Sequence, residues 1–309
     1  MAQKKKTSIG GQALIEGIMM KGPHKLATAV RKPDGEIELK TSELSSVFKK
    51  KFFKLPIIRG TFALIEAMIS GVRELMYSAS FFEDSIEEDA VDKFLKKVFK
   101  DKAENAIIYV SLILALIFSI GVFIIAPSLL TNVLKHVTDS SLILNLVEGI
   151  IRVALFVIYI FLISKLDDIK RVFRYHGAEH KTIYCYENGE ELIVENVRKY
   201  STLHPRCGTS FIVNVLIISI IVFSFFGWPN PFMRVITRIL MLPVIAGLSY
   251  EINRYIGGKD KQNVLTKILA YPGLMIQKIT TSEPDDSMME VAIVAMEAVI
   301  PENGADDLW

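Results

Sequence analysis

An uncharged stretch, "NAIIYVSLILALIFSIGVFIIAP" at residues 105–127, restricts this chain more than anything else in it. About 20 consecutive apolar residues suffice for a helix to cross a bilayer, and within lipid every backbone N–H and C=O must be bonded inside the segment. Three further stretches compete for the same role. Residues 142–164 are long enough but contain Glu148 and Arg152. Residues 211–228 are apolar throughout. Residues 235–250 are shorter, begin near Arg238 and include Pro243. With 51% hydrophobic residues, the chain is expected to be a mainly α, polytopic helical membrane protein of about four transmembrane helices.

Basic residues orient the spans, because they stay on the cytoplasmic side. Lys93, Lys96, Lys97, Lys100 and Lys102 precede the first span, and the connection 128–141 carries only Lys135. Lys165, Lys170, Arg171, Arg174, Lys181, Arg198, Lys199 and Arg206 all fall between the second span and the third. Both termini and the 165–210 loop are therefore expected in the cytoplasm. The organisation that follows is a cytoplasmic N-terminal region (1–103), a first transmembrane pair (104–164), a cytoplasmic loop (165–210), a second pair (211–251) and a cytoplasmic C-terminal region (252–309).

The cytoplasmic parts carry structure of their own. "TAVRKPDGEIEL" places a Pro-Asp-Gly turn between two extended runs and predicts a β-hairpin within a cytoplasmic cap. Residues 57–79 read as a helix with Arg59, Glu66 and Arg73 seven apart, a pattern that favours lying on the bilayer surface over crossing it. "ALIEGIMM" from Ala13 and "ALIEAMIS" from Ala63 echo each other, and chance explains the echo better than a duplicated helix. "TSEPDDSMMEVAIVAMEAVI" at 281–300 starts a helix at Pro284–Ser287 that is too short to span. Its apolar face is expected to dock on the N-terminal region.

Chemistry concentrates in the 165–210 loop. Of five histidines and two cysteines in the chain, His176, His180, Cys185, His204 and Cys207 fall within 32 residues. "HGAEH" places His176 and His180 at i and i+4 on one helix face with Glu179 on the intervening turn. This His-x-x-Glu-His spacing is the inverted zincin pattern, in which two histidines hold zinc and the glutamate is the general base toward its water. "HPRC" at 204–207 offers a further imidazole and thiolate.

Three readings stay open. A catalytic centre would use His176, His180 and one of Glu195, His204 or Cys207. A structural site would close on His176, His180, His204 and Cys207. Without a metal, the histidines would simply be hydrogen-bonded at a helix end. Gly177 weakens the helix, and "ENGE" at 187–190 would make 182–186 a strand if it were a hairpin turn. Cys185 lies off the His176–His180 face and reads as a packed thiol.

Several charged residues are second candidates. Arg206 would hold an anionic group or serve only as a cytoplasmic marker. Glu16 lies in the Gly-rich "GGQALIEGIMMKGPHK", which is either backbone packed against a partner or a mobile arm. Glu148 and Arg152 form an i,i+4 pair inside a span, read as a latch in preference to a transport path. Glu251 and Asn253, at the inner end of the last span, would supply ligands or support them.

"GGQALIEGIMMKGP", "YHGAEHKTIYCYE", "VENVRKYSTLHPRCGTSF" and "ITTSEPDD" resemble the YqhQ-like family of bacterial membrane proteins over nearly the whole chain. The family is a domain of unknown function, often labelled a predicted metal-dependent enzyme. The resemblance implies a bacterial inner-membrane protein and leaves the reaction open.

The leading expectation is a zinc-dependent hydrolase at the cytoplasmic face of the inner membrane, with Glu179 as base. The alternative is a non-catalytic scaffold assisting membrane-protein insertion or assembly. Expected partners are membrane lipids and other membrane proteins. A net charge of +2 gives no case for nucleic acid. The basic N-terminus lacks the apolar run of a signal peptide, and two cysteines 22 positions apart read as thiols or ligands rather than a disulfide.

Overall fold

The computed structural model describes residues 6–44, 55–85, 103–258, 263–302 and 307. Lys93, Lys96, Lys97, Lys100 and Lys102, on which the orientation of the first span rests, lie outside the described residues. The chain is mainly helical with one small antiparallel sheet, and it divides into two compact units. The first comprises residues 1–82, 159–218 and 243–309; the second comprises 83–158 and 219–242.

The first unit is built on four strands in sequence order, β1 (Gly10–Leu14), β2 (Gly17–Lys21), β3 (Lys25–Arg31) and β4 (Ile37–Glu43). The expected hairpin is the β3–β4 half, closed where Arg31 faces Ile37 with Gly35 at φ 90°. The Gly-rich stretch forms the other half. β1 and β2 pair from Gly10–Lys21 to Leu14–Gly17, around a two-residue turn in which Glu16 adopts φ 50°. "ALIEGIMM" is thus strand-turn-strand, whereas "ALIEAMIS" lies in a helix, so the echo marks no shared fold.

Both faces of the sheet are covered, which is why β2 and β3 read as continuous apolar runs rather than alternating ones. On one face Ile18, Met20, Ala27 and Ala29 pack with α5 (Asp167–Glu187) and α10 (Asp286–Glu297). On the other, α1 (Ile58–Ala79) inserts Glu74, fully buried, to accept from Thr28 Oγ1 at 3.0 Å and from Lys40 Nζ at 3.0 Å. Helix α1 presents the opposite of a soluble helix. It buries Gly60, Ser70, Gly71, Glu74 and Ser78 while Ile65, Met68 and Ile69 stay exposed.

Helix α10 begins as its sequence requires. Asp285 caps it by accepting from Met288 N at 3.1 Å, and Met288, Met289, Val291, Ala292, Ala295 and Met296 are buried against the sheet and α5. The expected docking on the N-terminal region is what the structure contains. One local expectation is corrected. Residues 182–186 are not a strand, because α5 runs unbroken to Glu187 and ends on Gly189 at φ 69°, the left-handed residue that terminates helices. Glycine at 177 is a matter of contact. A Cβ there would lie 2.1 Å from the Ser282 carbonyl oxygen, so only glycine lets the 280–282 segment lie against α5.

The second unit holds α2 (Ala103–Ile120), which passes through a π turn (Gly121–Ile125) into α3 (Ala126–Asn132). It also holds most of α4 (Ser141–Ile163) and the first part of α8 (Pro231–Gly258). Glu148 and Arg152 do pair along α4, and Arg238 of α8 joins them, its Nε and Nη2 donating to the two Glu148 oxygens at 2.5 and 2.6 Å. Arg152 Nε donates to Phe123 O, inside the π turn, at 2.8 Å.

Among the described residues, three helices are long and apolar enough to cross a membrane: Val110–His136, Ser141–Ile163 and Pro231–Gly258. Of the expected span 211–228, residues 211–224 lie in α7 (Gly208–Ser224), which has 17 residues and is shorter than the other three. The stretch that looked weakest, 235–250, is part of a 28-residue helix. The expectation of a short span rested on Arg238 and Pro243. Arg238 is buried, and the helix continues through Pro243. Two shorter helices complete the first unit, α6 (Val194–Val197) and α9 (Val264–Thr280).

Candidate metal centre

Helix α5 sets His176 and His180 one turn apart on the same face, their ring centroids 4.4 Å apart. Each imidazole is anchored through Nδ1 to a backbone carbonyl: His176 to Thr280 O at 2.9 Å, and His180 to Thr202 O. A carbonyl only accepts, so both Nδ1 atoms carry the proton and both Nε2 atoms present lone pairs when the rings are neutral. That arrangement orients a metal-binding histidine.

The third group comes from the turn before α7. Cys207 Sγ lies 3.1 Å from His176 Nε2 and accepts from Thr209 N, in the first turn of α7, at 3.3 Å. His176, His180 and Cys207 bring one ligand atom each within 4.8 Å of one another. His180 Nε2 is buried and has no hydrogen-bond partner among the described residues. An unsatisfied nitrogen in such a place is costly unless something binds there, and two imidazoles with one thiolate suit zinc. The donor set fits the metal the sequence motif implies.

Electrostatics follow from burial and proximity. Burial alone would raise the Cys207 thiol, but the charges of His176 and His180 outweigh it and hold it well below the usual range. Burial opposes protonation of His176, and the Cys207 thiolate overcomes that, raising it to about 9. Burial pushes the Glu179 carboxyl up, with the His176 and His180 charges opposing. Glu179 reaches the edge strand, where its Oε1 accepts from Gly11 N at 3.0 Å. A Cβ at Gly11 would sit 3.0 Å from the Glu179 carboxyl carbon, so glycine permits this approach. Glu179, His180 and Cys207 share the wall of a cleft of about 290 Å³ with Gly10, Gly11 and Arg206.

His204 and Glu195, the other proposed ligands, are not brought into the cluster of ligand atoms. The His204 ring lies tilted beside that of His180, their centroids 5.5 Å apart, but its Nε2 faces Glu187 at 3.8 Å and Arg206 Nη2 at 3.4 Å. Burial lowers His204 to about 4. Burial acts to raise Glu187, but contact with His204 and the Arg206 guanidinium hold it low. Arg206 is thus committed to Glu187. Glu195 is exposed on α6.

Glu16 pairs with Arg171 and accepts from Tyr175 OH at 3.2 Å. Glu251 is engaged by Arg59, and Asn253 accepts from Asn214 Nδ2 at 2.5 Å. Glu148 and Arg152 belong to the second unit. Sequence reasoning missed Gln277, which brackets His204 with two 2.8 Å bonds to its backbone N–H and C=O. It also missed the Thr202 and Thr280 carbonyls. Backbone acceptors carry no signature in sequence.

Fold and site together define a class: a mainly helical protein with, among the described residues, three helices apolar enough to cross a membrane and a largely buried His-His-Cys cluster beside a small antiparallel sheet. The chain belongs to the family described as "Protein of unknown function (DUF1385)", whose model matches residues 55–302. It is 35% identical over 294 residues to "Uncharacterized protein YqhQ" of Bacillus subtilis (strain 168), covering 92% of this chain and 89% of that relative. The family is the YqhQ-like one that the sequence resembles. No solved structure matches.

Proposed function

We propose that the protein is a zinc-dependent hydrolase of the bacterial inner membrane, with its site on the cytoplasmic side. The observation that carries this reading is the buried, unpartnered His180 Nε2 beside His176 Nε2 and Cys207 Sγ. His176, His180 and Cys207 would hold the metal, with a fourth position left for water. Bound there, zinc supplies a water acidified to a pKa of about 7 and a Lewis acid toward a carbonyl or phosphoryl oxygen.

The chain's own residues do the rest. The Thr202 and Thr280 carbonyls fix both imidazoles, and Glu179, its carboxyl raised by burial, accepts a proton from water at its oxygen. The bond between Glu179 and Gly11 N keeps that carboxylate on the cleft wall.

In this reading α7 is a fourth, shorter span, and both termini are cytoplasmic. The exposed Ile65, Met68 and Ile69 of α1 seat the first unit on bilayer lipid. A second reading, a non-catalytic scaffold that seats other membrane proteins, draws on that same exposed face.

Metal content and function separate the two. Full-length protein purified in detergent should carry about one zinc per chain, lost in His176→Ala/His180→Ala. Glu179→Gln should keep the metal and fail to complement a deletion strain, since an amide cannot accept the proton. A metal-free wild type, or full complementation by Glu179→Gln, would favour the scaffold.

A further inference from the structure

We propose that the second unit contains a binding site for an oxyanion, built around Arg234 and separate from the His-Cys centre. Arg234 lies in the first turn of α8 and is 1% exposed. Among the described residues, its Nε and Nη1 are buried without a hydrogen-bond partner, and Nη2 has only a 3.5 Å contact to Ser128 O. The guanidinium carbon sits 3.9 Å from the Trp228 ring centroid, which stacks one face and leaves the N–H edges to find acceptors.

Four neighbours sharpen the case. Ser128 and Thr131, three positions apart on α3, are 2% and 0% exposed, and neither hydroxyl has a partner. Trp228 Nε1 is likewise buried and unpartnered. Glu148, the nearby carboxylate, has both oxygens taken by Arg238 and one shared with Arg152. Among the described residues no ion pair involves Arg234.

Every unpartnered atom here can donate, and indole and guanidinium nitrogens cannot accept. That selects an anion over a cation. A buried water would satisfy single N–H groups but would leave the guanidinium charge unmatched, which is strongly unfavourable in a low-dielectric interior. Several donors arriving from different side chains suit a ligand with several acceptor oxygens, and the guanidinium fork matches phosphate. The ligand class is therefore a phosphate-like oxyanion, carried either by a lipid headgroup or free in solution.

The chain has two tryptophans, Trp228 and Trp309. Trp309→Phe leaves the indole stacked on Arg234 as sole reporter. Full-length protein in detergent is titrated with inorganic phosphate, with phosphatidylglycerol, and with diacylglycerol of the same acyl chains, which lacks the phosphate. A saturable change in Trp228 emission with phosphatidylglycerol, absent with diacylglycerol, is expected. A parallel response to inorganic phosphate assigns the free oxyanion; a response to phosphatidylglycerol or to phosphate alone assigns that source. Ser128→Ala with Thr131→Val, which preserves shape, should weaken binding about tenfold by removing bonds to a charged ligand. Arg234→Gln should abolish it. Unchanged emission with both anions, an equal response to diacylglycerol, or wild-type affinity in the Ser128/Thr131 variant would overturn the proposal.

Discussion

His176 Nε2 and Cys207 Sγ stand 3.1 Å apart, although 31 residues separate them in the chain. Without a metal, that contact is a thiolate–imidazolium pair, because each group stabilises the other's charged form. Cys207 lines the cleft, so its reactivity is measurable. In metal-stripped protein, iodoacetamide should modify Cys207 at a rate nearly flat from about pH 9 to pH 6, since the thiolate persists below the usual range. Cys185, pushed up to about 11 by burial, should react slowly throughout and faster as pH rises. Mass spectrometry of the two peptides reads both rates. A Cys207 rate that climbs with pH like an ordinary thiol's would contradict the pairing.

Gly177→Ala sets two effects against each other. Alanine gains about 1 kcal/mol of helix propensity over glycine. Its Cβ, however, would lie 2.1 Å from Ser282 O, a backbone atom that cannot swing aside. The clash should win. Displacing residues 280–282 also removes the Thr280 carbonyl from His176. The variant should melt lower than wild type and bind zinc about 10- to 100-fold more weakly, as when an outer partner of a metal-binding histidine is lost. Chelator competition measures the second effect.

Packing under the sheet gives a separate test. Met296 is fully buried in the core shared by α5, α10 and the sheet. Met296→Ala should cost about 2–5 kcal/mol through lost contacts and a cavity. Glu297→Ala, exposed on the same turn, should cost less than about 0.5 kcal/mol. Thermal unfolding in detergent compares them.

Orientation is tested by fusion reporters. A reporter after Lys199 should behave as cytoplasmic and one near Thr131 as external, following the distribution of Lys and Arg around the spans. The reverse pattern would place the His-Cys centre outside the cell.

Much of the first unit was legible because its signals are local. The Pro-Asp-Gly turn gave β3–β4, Asp285 gave the start of α10, and the His-x-x-Glu-His spacing gave the shared face of His176 and His180. What failed depended on distant chain. For β1–β2 the glycines left closely packed backbone and a mobile arm equally open, because the contacts they serve with β2 and Glu179 are not announced by sequence. Choosing Cys207 over His204 and Glu195 needed the approach of the 204–207 turn to α5, set in part by Gln277. Arg234 drew no attention, since its burial appears only once α3 and α8 are placed.

X-ray absorption at the zinc edge of zinc-loaded, full-length protein tests the central claim most directly. The account predicts a first shell with one sulfur at about 2.3 Å and nitrogen or oxygen scatterers at about 2.0–2.1 Å, including the multiple-scattering signature of two imidazoles. Cys207→Ser should remove the sulfur shell. A shell without sulfur in the wild type, or one unchanged in Cys207→Ser, would contradict a metal centre at His176, His180 and Cys207.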